Sequence, residues 1–194
     1  QVAEAAREFA KTQIAPHLME WDEQQFFPKQ ALQELGKLGM MGVLVPEQYG
    51  GAGLSYAEYK VVVEEISKVC GAFGLSVAAH NSLCTGHLLA FGNEEQKKKW
   101  LPGLGAGELI GCFGLTESNF GSNPGGMATS AKKDGDDWII NGSKMWITNG
   151  SLADVALVWA KDESGVIRGF LLEKGMDGFT SNDIHGKLSL RASV

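Results

Sequence analysis

The sequence predicts an α+β protein in which an N-terminal all-α domain is followed by a central antiparallel β domain. Apolar residues recur at helical intervals up to about residue 110, and the period shortens towards two from Gly111 onward. Turn signals rich in Asn, Asp and Gly then separate the β-prone runs. Helices first and strands second favour two adjacent domains of different class over an alternating βαβ fold. We place these domains at residues 1–110 and 111–194.

The first half carries apolar stripes of the kind that one face of a helix buries. The stripes are Val2, Ala5, Phe9 and Ile14, then Leu32, Leu35, Leu38 and Met41, then Tyr56, Tyr59, Val63 and Ile66. Ser55 with Glu58, and Asn93 with Gln96, have the spacing of capping boxes at helix starts. The lysines at 97–99 are expected near the end of the last helix, where positive charge suits the macrodipole.

Two further segments complete the helical half. VPEQYGGAGLS, residues 45–55, is too rich in Gly and Pro to continue a helix and is predicted to be a loop. Residues 71–91 are nearly all small or apolar, which is typical of a helix buried on most sides.

The second half is predicted to contain two hairpins. Asn141 and Gly142 lie between two β-prone runs, and Asn-Gly is the strongest short signal for a type I′ turn. A second hairpin is expected from DVALVWA and IRGFLLEK, which the polar turn at 162–165 joins. The final GKLSLRASV has the pattern of an approach to another strand and lacks a closing element, so we expect an incomplete chain.

Composition and residue spacing exclude several functional classes. With 23 acidic against 17 basic residues, the chain offers no basic surface for nucleic acid. It has no apolar run long enough to span a membrane and no signal-peptide core, so we expect a soluble, intracellular protein. Cys70, Cys84 and Cys112 lack disulfide or metal spacing and are expected to be buried thiols, and no metal site is predicted.

Two segments rich in glycine and hydroxyl groups are candidates for a ligand site. They are CFGLTESNFGSNPGG at 112–126 and KMWITNG at 144–150. Glycine lets backbone approach a ligand closely, and hydroxyl groups donate hydrogen bonds. The hydroxyl-bearing residues are Thr116, Ser118, Ser122 and Thr148. Either segment alone would more often be an ordinary surface turn, and Trp146 alone would more often be a core aromatic residue on a hairpin.

Together the two segments resemble the acyl-CoA dehydrogenase family, whose members carry LTEPxxGSD and a later WITNG at about this separation. This sequence has LTE at 115–117, Gly121-Ser122 and an intact WITNG at 146–150. The resemblance extends through VPEQYGGAGLS, GNEEQKKKWLP and KLSLRAS, and so covers essentially the whole chain. Ser118 stands where relatives usually have Pro and Asn123 where they usually have Asp, so a modest change in loop geometry is expected.

The resemblance implies a fold, a cofactor and a set of contacts. Relatives have an N-terminal helical domain, a central β domain and a C-terminal helical domain, and the last is absent from this chain. FAD and the acyl-CoA substrate lie where these domains meet. The residues implied to bind FAD are Phe113, Leu115, Thr116, Trp146, Ile147 and Thr148, with Thr116 near N1 and the C2 carbonyl and Thr148 near N5. Gly121 and Ser122 are implied to contact the substrate.

The resemblance also implies the reaction, which is α,β-dehydrogenation of an acyl-CoA thioester. A carboxylate removes the α proton while the β hydrogen leaves as hydride to flavin N5. The family's base is a Glu in the C-terminal domain, so no residue of this chain is assigned as catalytic, and Glu117 is predicted to be structural. Two alternatives remain open: a flavin- or CoA-binding fragment without turnover, and acyl-CoA oxidase chemistry in the same superfamily.

The implied partners and substrate complete the expectations. The resemblance implies an electron-transfer flavoprotein as acceptor, a homotetramer, and a place in the bacterial cytoplasm or the mitochondrial matrix. The end of the chain is most similar to the glutaryl-CoA dehydrogenase branch. Where that branch holds the distal carboxylate with an arginine, this sequence has Gly74 in an apolar segment. Because an unpaired carboxylate there would be strongly penalised, we expect a short or branched monocarboxylic acyl chain.

Overall fold

Helices fill the first half of the chain in the computed structural model, which describes residues 1–193. The helices are α1 (Val2–Phe9), α2 (Leu18–Glu23), α3 (Lys29–Lys37), α4 (Tyr56–Ser67), α5 (Gly71–Ala78), α6 (Gly86–Phe91) and α7 (Glu94–Gly105). The π-helical turns are Ala10–Ile14 and Ala79–Thr85, and the 3₁₀ turns of this half are Ala15–His17 and Glu47–Tyr49. The loop after α3 is as predicted, with a short 3₁₀ turn inside it. The helical stripes are confirmed in part, because Leu38 and Met41 lie beyond the end of α3 and the side chains of Ala5, Leu38 and Tyr56 are exposed.

Both predicted capping boxes are present. Ser55 Oγ accepts from Ala57 N at 3.1 Å, and Glu58 Oε2 accepts from Ser55 N at 3.0 Å. Asn93 and Gln96 exchange the equivalent pair of bonds at the start of α7. The placement of the lysines at 97–99 near a helix end is wrong, because α7 continues through Pro102 to Gly105.

Residues 71–91 form one continuous helical segment that is buried on most sides, as predicted. Its π-helical turn directs His80 and Asn81 inward, and both are fully or almost fully buried. Asn81 accepts from Val43 N and donates to Met40 O, which attaches the segment after α3. His80 Nδ1 accepts from Gly111 N at 3.0 Å, so its Nε2 carries the proton donated to Leu104 O. This helical segment therefore contacts both halves of the chain.

His80 makes the stability of the fold depend on pH. Burial lowers the pKa of its imidazole from an ordinary 6.5 to about 4. As the pH falls, His80 of the unfolded chain is protonated at a higher pH than His80 of the folded chain. The free energy of unfolding is therefore expected to fall as the pH drops from 6.5 towards 4. Urea denaturation at stepped pH measures the decline, and a constant value between pH 6.5 and 5 would contradict it. His80→Gln keeps a donor and an acceptor without titrating. It should remove the part of the pH dependence of the unfolding free energy that His80 causes.

A mixed sheet forms the second half. Its strands are β1 (Gly111–Gly114), β2 (Ser130–Asp134), β3 (Asp137–Asn141), β4 (Val155–Lys161) and β5 (Ile167–Glu173), with a 3₁₀ turn at Pro124–Gly126. The strand β4 pairs with β5 in antiparallel fashion, with β1 in parallel, and with β2 through the single parallel pair Ser130 and Lys161. The α+β class and the order of helices and strands are confirmed. The sheet is not wholly antiparallel, because β1 and β4 are joined by a long crossover that returns the chain to the same end.

One predicted hairpin is confirmed and the other is displaced. Strands β4 and β5 pair along their whole length, and Asp162 closes their turn by accepting from the backbone of Ser164 and Val166. The first hairpin turns at Gly135-Asp136, between β2 and β3, so the turn predicted at Asn141-Gly142 is wrong. The following KMWIT forms no strand. Trp146 in this segment and Asn149 just after it adopt positive φ angles of 63° and 67°, which a strand does not accommodate.

The last described residues return to the N-terminal helices. The strand expected in GKLSLRASV is wrong for residues 186–193, which form bends and turns, and Val194 lies outside the described residues. Arg191 donates to Asp22 Oδ2 through Nε at 2.8 Å and through Nη2. Gly186 N donates to Gln25 Oε1 at 2.8 Å. The segment 186–191 is thus attached to Asp22 in α2 and to Gln25 just after that helix.

Three further observations bear on function. The thiols of Cys70, Cys84 and Cys112 are free and buried, as predicted. Within residues 1–193, no group of His, Cys, Asp or Glu side chains is arranged to hold a metal ion. None of the helices in the same range has the length and apolar character needed to cross a membrane.

Candidate functional site

A cavity of about 240 Å³ lies between the helical segment 71–91, the chain that follows β1, and the turn at 146–150. The residues implied to bind FAD all line it: Phe113, Leu115, Thr116, Trp146, Ile147 and Thr148. Ala79 and Leu83 line it from the helical segment. Thr116 and Thr148, which are far apart in sequence, therefore face one space.

Ala79 and Leu83 are site residues that sequence reasoning missed. They lie on the helical segment with the spacing i, i+4, which places them on one face of a helix. The sequence contains the signal, because Leu75, Ala79 and Leu83 form an apolar stripe. Burial on most sides of residues 71–91 does not by itself indicate that one face borders a cavity.

Gly121 and Ser122 do not line this cavity. Both are exposed on the loop that follows Glu117. A Cβ atom built on Gly121 would lie 4.0 Å from the methyl carbon of Thr116, so the loop runs beside the cavity wall. Contact of this pair with a substrate stays a prediction.

Hydrogen bonds join the two segments that supply the cavity walls. Met145 N donates to Thr116 O at 2.9 Å, and Lys144 Nζ donates to Leu115 O at 3.1 Å. Lys144 Nζ also lies 2.8 Å from Glu117 Oε1, and the two side chains are only 9% and 7% exposed. The segments therefore form one unit, held by a buried ion pair directly behind Leu115 and Thr116.

Glu117 has a structural role, as predicted. Its carboxylate accepts from Ala128 N, Thr129 N and Thr129 Oγ1 in addition to Lys144. Burial alone would raise the pKa of this carboxyl, but the hydrogen bonds from Lys144 and Thr129 lower it to about 2. Glu117 is therefore ionised near neutral pH, fully engaged, and unsuited to act as a base.

Trp146 is not a core aromatic residue, so the plainer interpretation of that residue is wrong. Its side chain is 58% exposed, and its backbone has the left-handed φ of 63°. Such a backbone costs a bulky residue about 1–3 kcal/mol, and strain of this kind clusters at ligand sites. The exposed indole borders the cavity, so a residue with an unfavourable backbone lies at the candidate site.

The cavity combines apolar walls with hydroxyl groups that a ligand could reach. Phe113, Leu115 and Ile147 give it apolar walls. The hydroxyls of Thr116 and Thr148 have no hydrogen-bond partner in the part of the chain that the structure describes, so both are available to a ligand. The turn at 146–148 also borders a larger open cavity of about 1380 Å³ on the sheet face that carries Ala156 and Val158.

Two family models match the chain and together cover nearly all of it. Residues 1–108 match the acyl-CoA dehydrogenase N-terminal domain, and residues 112–193 match the acyl-CoA dehydrogenase middle domain. The helical half and the sheet half are thus recognised separately and in the expected order. The chain belongs to the acyl-CoA dehydrogenase family, which confirms the resemblance found in its motifs.

Individual relatives agree with this assignment. The short-chain specific acyl-CoA dehydrogenase of Clostridium acetobutylicum is 43% identical over 99% of this chain and 52% of its own length. The mitochondrial isovaleryl-CoA dehydrogenase of Pongo abelii is 42% identical over 100% of this chain and 48% of its own. A glutaryl-CoA dehydrogenase from Mycobacterium smegmatis, solved in complex with FADH2, superposes with a TM-score of 0.95 at 47% identity, over 99% of this chain and 49% of that one. The chain spans about half the length of the curated relatives it matches.

Proposed function

We propose that the protein containing this chain is an FAD-dependent acyl-CoA dehydrogenase that converts a short or branched acyl-CoA thioester to the 2-enoyl-CoA. The observation that carries the proposal is the convergence of Thr116 and Thr148, with their neighbours, on one cavity. A chain whose two motif segments formed unrelated surface turns would have no such cavity. The related glutaryl-CoA dehydrogenase holds FADH2, which supports FAD as the cofactor here.

The lining residues fit an isoalloxazine ring. The apolar walls would pack against its faces, the exposed Trp146 indole would stack on it, and the hydroxyls of Thr116 and Thr148 would donate to its polar edge. Bound FAD supplies the hydride acceptor at N5. We assign Thr116 to N1 and the C2 carbonyl, where a donor fixed in place stabilises the negative charge of the reduced ring. Thr148 is assigned to the neighbourhood of N5.

Removal of the substrate's α proton requires a base that this chain does not place in the cavity. The lining residues within 1–193 include no carboxylate, and Glu117 is held ionised by Lys144 behind the wall. We therefore assign the base to a glutamate outside this chain. The second candidate function, a flavin- or CoA-binding protein without turnover, would need no such base.

The apolar helical side of the cavity supports the proposed polarity of the acyl group. Ala79 and Leu83 are apolar, and the lining residues within the described chain include no cation that could pair with a second carboxylate. A Cβ atom on Gly74 would lie 2.0 Å from Ser67 Oγ, so a larger side chain at 74 would require Ser67 to move. These observations support a monocarboxylic acyl chain, although three of the similar structures are glutaryl-CoA dehydrogenases.

Partners and location are proposed by analogy with the family. We propose an electron-transfer flavoprotein as electron acceptor and a homotetrameric assembly. The relatives include a bacterial and a mitochondrial protein, which supports a place in the bacterial cytoplasm or the mitochondrial matrix.

The full-length protein is expected to purify yellow and to be bleached by short acyl-CoA esters without oxygen. Bleaching follows from hydride transfer to the flavin and is measured by absorbance in the visible range. Butyryl-CoA or isovaleryl-CoA should bleach faster than glutaryl-CoA. Faster bleaching by glutaryl-CoA would make the substrate assignment wrong and leave the reaction intact.

The remaining outcomes separate the alternatives. A yellow protein that no acyl-CoA of about four to eight carbons bleaches would favour binding without turnover. Reoxidation of the bleached protein by oxygen at a rate equal to turnover would assign it as an oxidase. Reoxidation only by an electron-transfer flavoprotein would support the dehydrogenase.

A further inference from the structure

The side chain of Asn149 joins three walls of the cavity without lining it. It is fully buried, and its amide nitrogen donates to Ser76 O at 3.1 Å and to Gly111 O at 3.2 Å. Ser76 belongs to the helical segment that carries Ala79 and Leu83, and Gly111 begins the strand that leads to Phe113. Asn149 itself follows Thr148 directly. One amide group therefore links the helical wall, the strand wall and the turn.

The other side of Gly111 is held just as firmly. Its N–H donates to the buried His80, which belongs to the same helical segment as Ser76. A Cβ atom on Gly111 would lie 2.6 Å from Cys84 Sγ, so the strand meets this segment at contact distance. Gly111 is thus fixed through its N–H by His80 and through its carbonyl by Asn149. Among the side-chain hydrogen bonds of residues 1–193, that of Asn149 extends this fixed point to the turn that bears Trp146 and Thr148.

The turn needs such an attachment because its backbone is unfavourable. Trp146 and Asn149 both have positive φ angles, which side-chain-bearing residues rarely adopt. Asn tolerates this conformation better than most residues, and its backbone carbonyl also accepts from Leu152 N and Ala153 N. Buried hydrogen bonds outside the turn are what hold a strained conformation in place.

We infer that Asn149 is a positioning residue that sets the separation between Thr148 and the helical wall, and thereby the fit of the flavin ring. The inference rests on the proposed function only for the identity of the ligand. The assignment of the amide is fixed by chemistry, because the group facing two carbonyl oxygens must be the NH2 donor. The Asn149 oxygen, buried and without a partner in the described chain, contributes nothing to this attachment.

Asn149→Gly tests the side chain alone, because glycine keeps the left-handed backbone while both donated bonds are lost. In the full-length protein, the FAD dissociation constant is expected to rise about tenfold or more, since buried carbonyls lose their partner. The emission of Trp146, taken as the difference from Trp146→Phe in the same background, is expected to shift even without FAD. Ser151→Ala is the matched control. It removes from the same turn a buried hydroxyl that has no hydrogen-bond partner in residues 1–193, and it should change neither the FAD dissociation constant nor the Trp146 emission.

Asn149→Asp adds a readout that a merely structural role would not produce. The carboxylate would face Ser76 O and Gly111 O, so the charged form is disfavoured and its pKa is raised. Protonation restores one donor. Affinity for FAD, divided by that of the parent at each pH, is therefore expected to recover as the pH falls from about 8 to about 5.5, whereas the ratio for Asn149→Gly stays level.

The outcomes test the positioning role of Asn149 and the proposed function separately. Parent-like affinity and emission in Asn149→Gly would overturn the positioning role. If that variant does not fold, Asn149→Asp decides: recovery at low pH supports the role and a level ratio overturns it. A parent protein that binds no FAD would refute the proposed function, while the emission of Trp146 in Asn149→Gly would still test the attachment.

Discussion

Lys144→Met is expected to destabilise the fold by about 3–5 kcal/mol, the usual cost of removing one partner from a buried ion pair. Methionine fills a similar volume but leaves the Glu117 carboxylate, 7% exposed, without its counter-charge. The hydrogen bond to Leu115 O is lost as well. The free energy of unfolding from urea denaturation at pH 7 measures the effect, and the cavity residues next to Leu115 should loosen with it.

Lys60→Met is the matched control for this change. Lys60 and Glu64 form an equally close pair at 2.6 Å, but their side chains are 73% and 41% exposed on α4. Exposed pairs contribute about 0–1 kcal/mol because water screens them. Equal losses in the two variants would mean that burial does not set the strength of the Lys144 pair.

The stabilising effect of the Glu117 carboxylate is expected to depend on pH. Because the pKa of Glu117 is lowered to about 2, this effect should be present above pH 4.5 and fade as the pH falls towards 2.

Thr116→Ala is expected to slow anaerobic bleaching at saturating acyl-CoA by about ten- to a hundredfold, the usual scale for losing one donor to a developing anion. The hydroxyl faces the cavity with no partner in residues 1–193, so its removal leaves no protein group newly unpaired there. Stability should therefore change little while the rate falls. Stopped-flow absorbance of the flavin measures the rate.

Two companion variants show whether the hydroxyl itself is responsible. Thr116→Ser keeps the donor and should retain most of the rate. Ser118→Ala removes a hydroxyl two residues away that contacts Met145 Sδ at 3.4 Å outside the cavity lining, and should leave the rate unchanged. If Thr116→Ala bleached as fast as the parent, the proposed position of the flavin would be wrong.

Local rules predicted the features of this fold that local interactions determine. The capping boxes at Ser55 and Asn93 satisfy backbone groups within the same turn, so residue spacing alone identifies them. The β4–β5 hairpin succeeded for the same reason, because Asp162 closes its own turn. The family resemblance named six residues as FAD contacts, and the structure brings these six to one cavity, which local propensity alone does not predict.

The failures lie where tertiary contacts override a local preference. Asn-Gly at 141–142 has the best turn signal in the chain. The segment after it pairs instead with the chain after β1, because Met145 N donates to Thr116 O, and so it does not fold back on β3. The parallel pairing of β1 with β4 joins residues too far apart for a periodicity argument. The attachment made by Asn149 reaches Ser76 across 73 positions, and no pattern near WITNG indicates it.

The pairing of Asp22 with Arg191 spans 169 positions of sequence. During synthesis α2 leaves the ribosome long before Arg191 does. The contact between Asp22 and Arg191 can therefore form only after nearly all of the sheet half has been synthesised. Contacts of such separation slow the search for the native state, because the loop between them must close first. The last step in assembling these residues is therefore expected to be the arrival of the C-terminal segment at α2, after the sheet has formed.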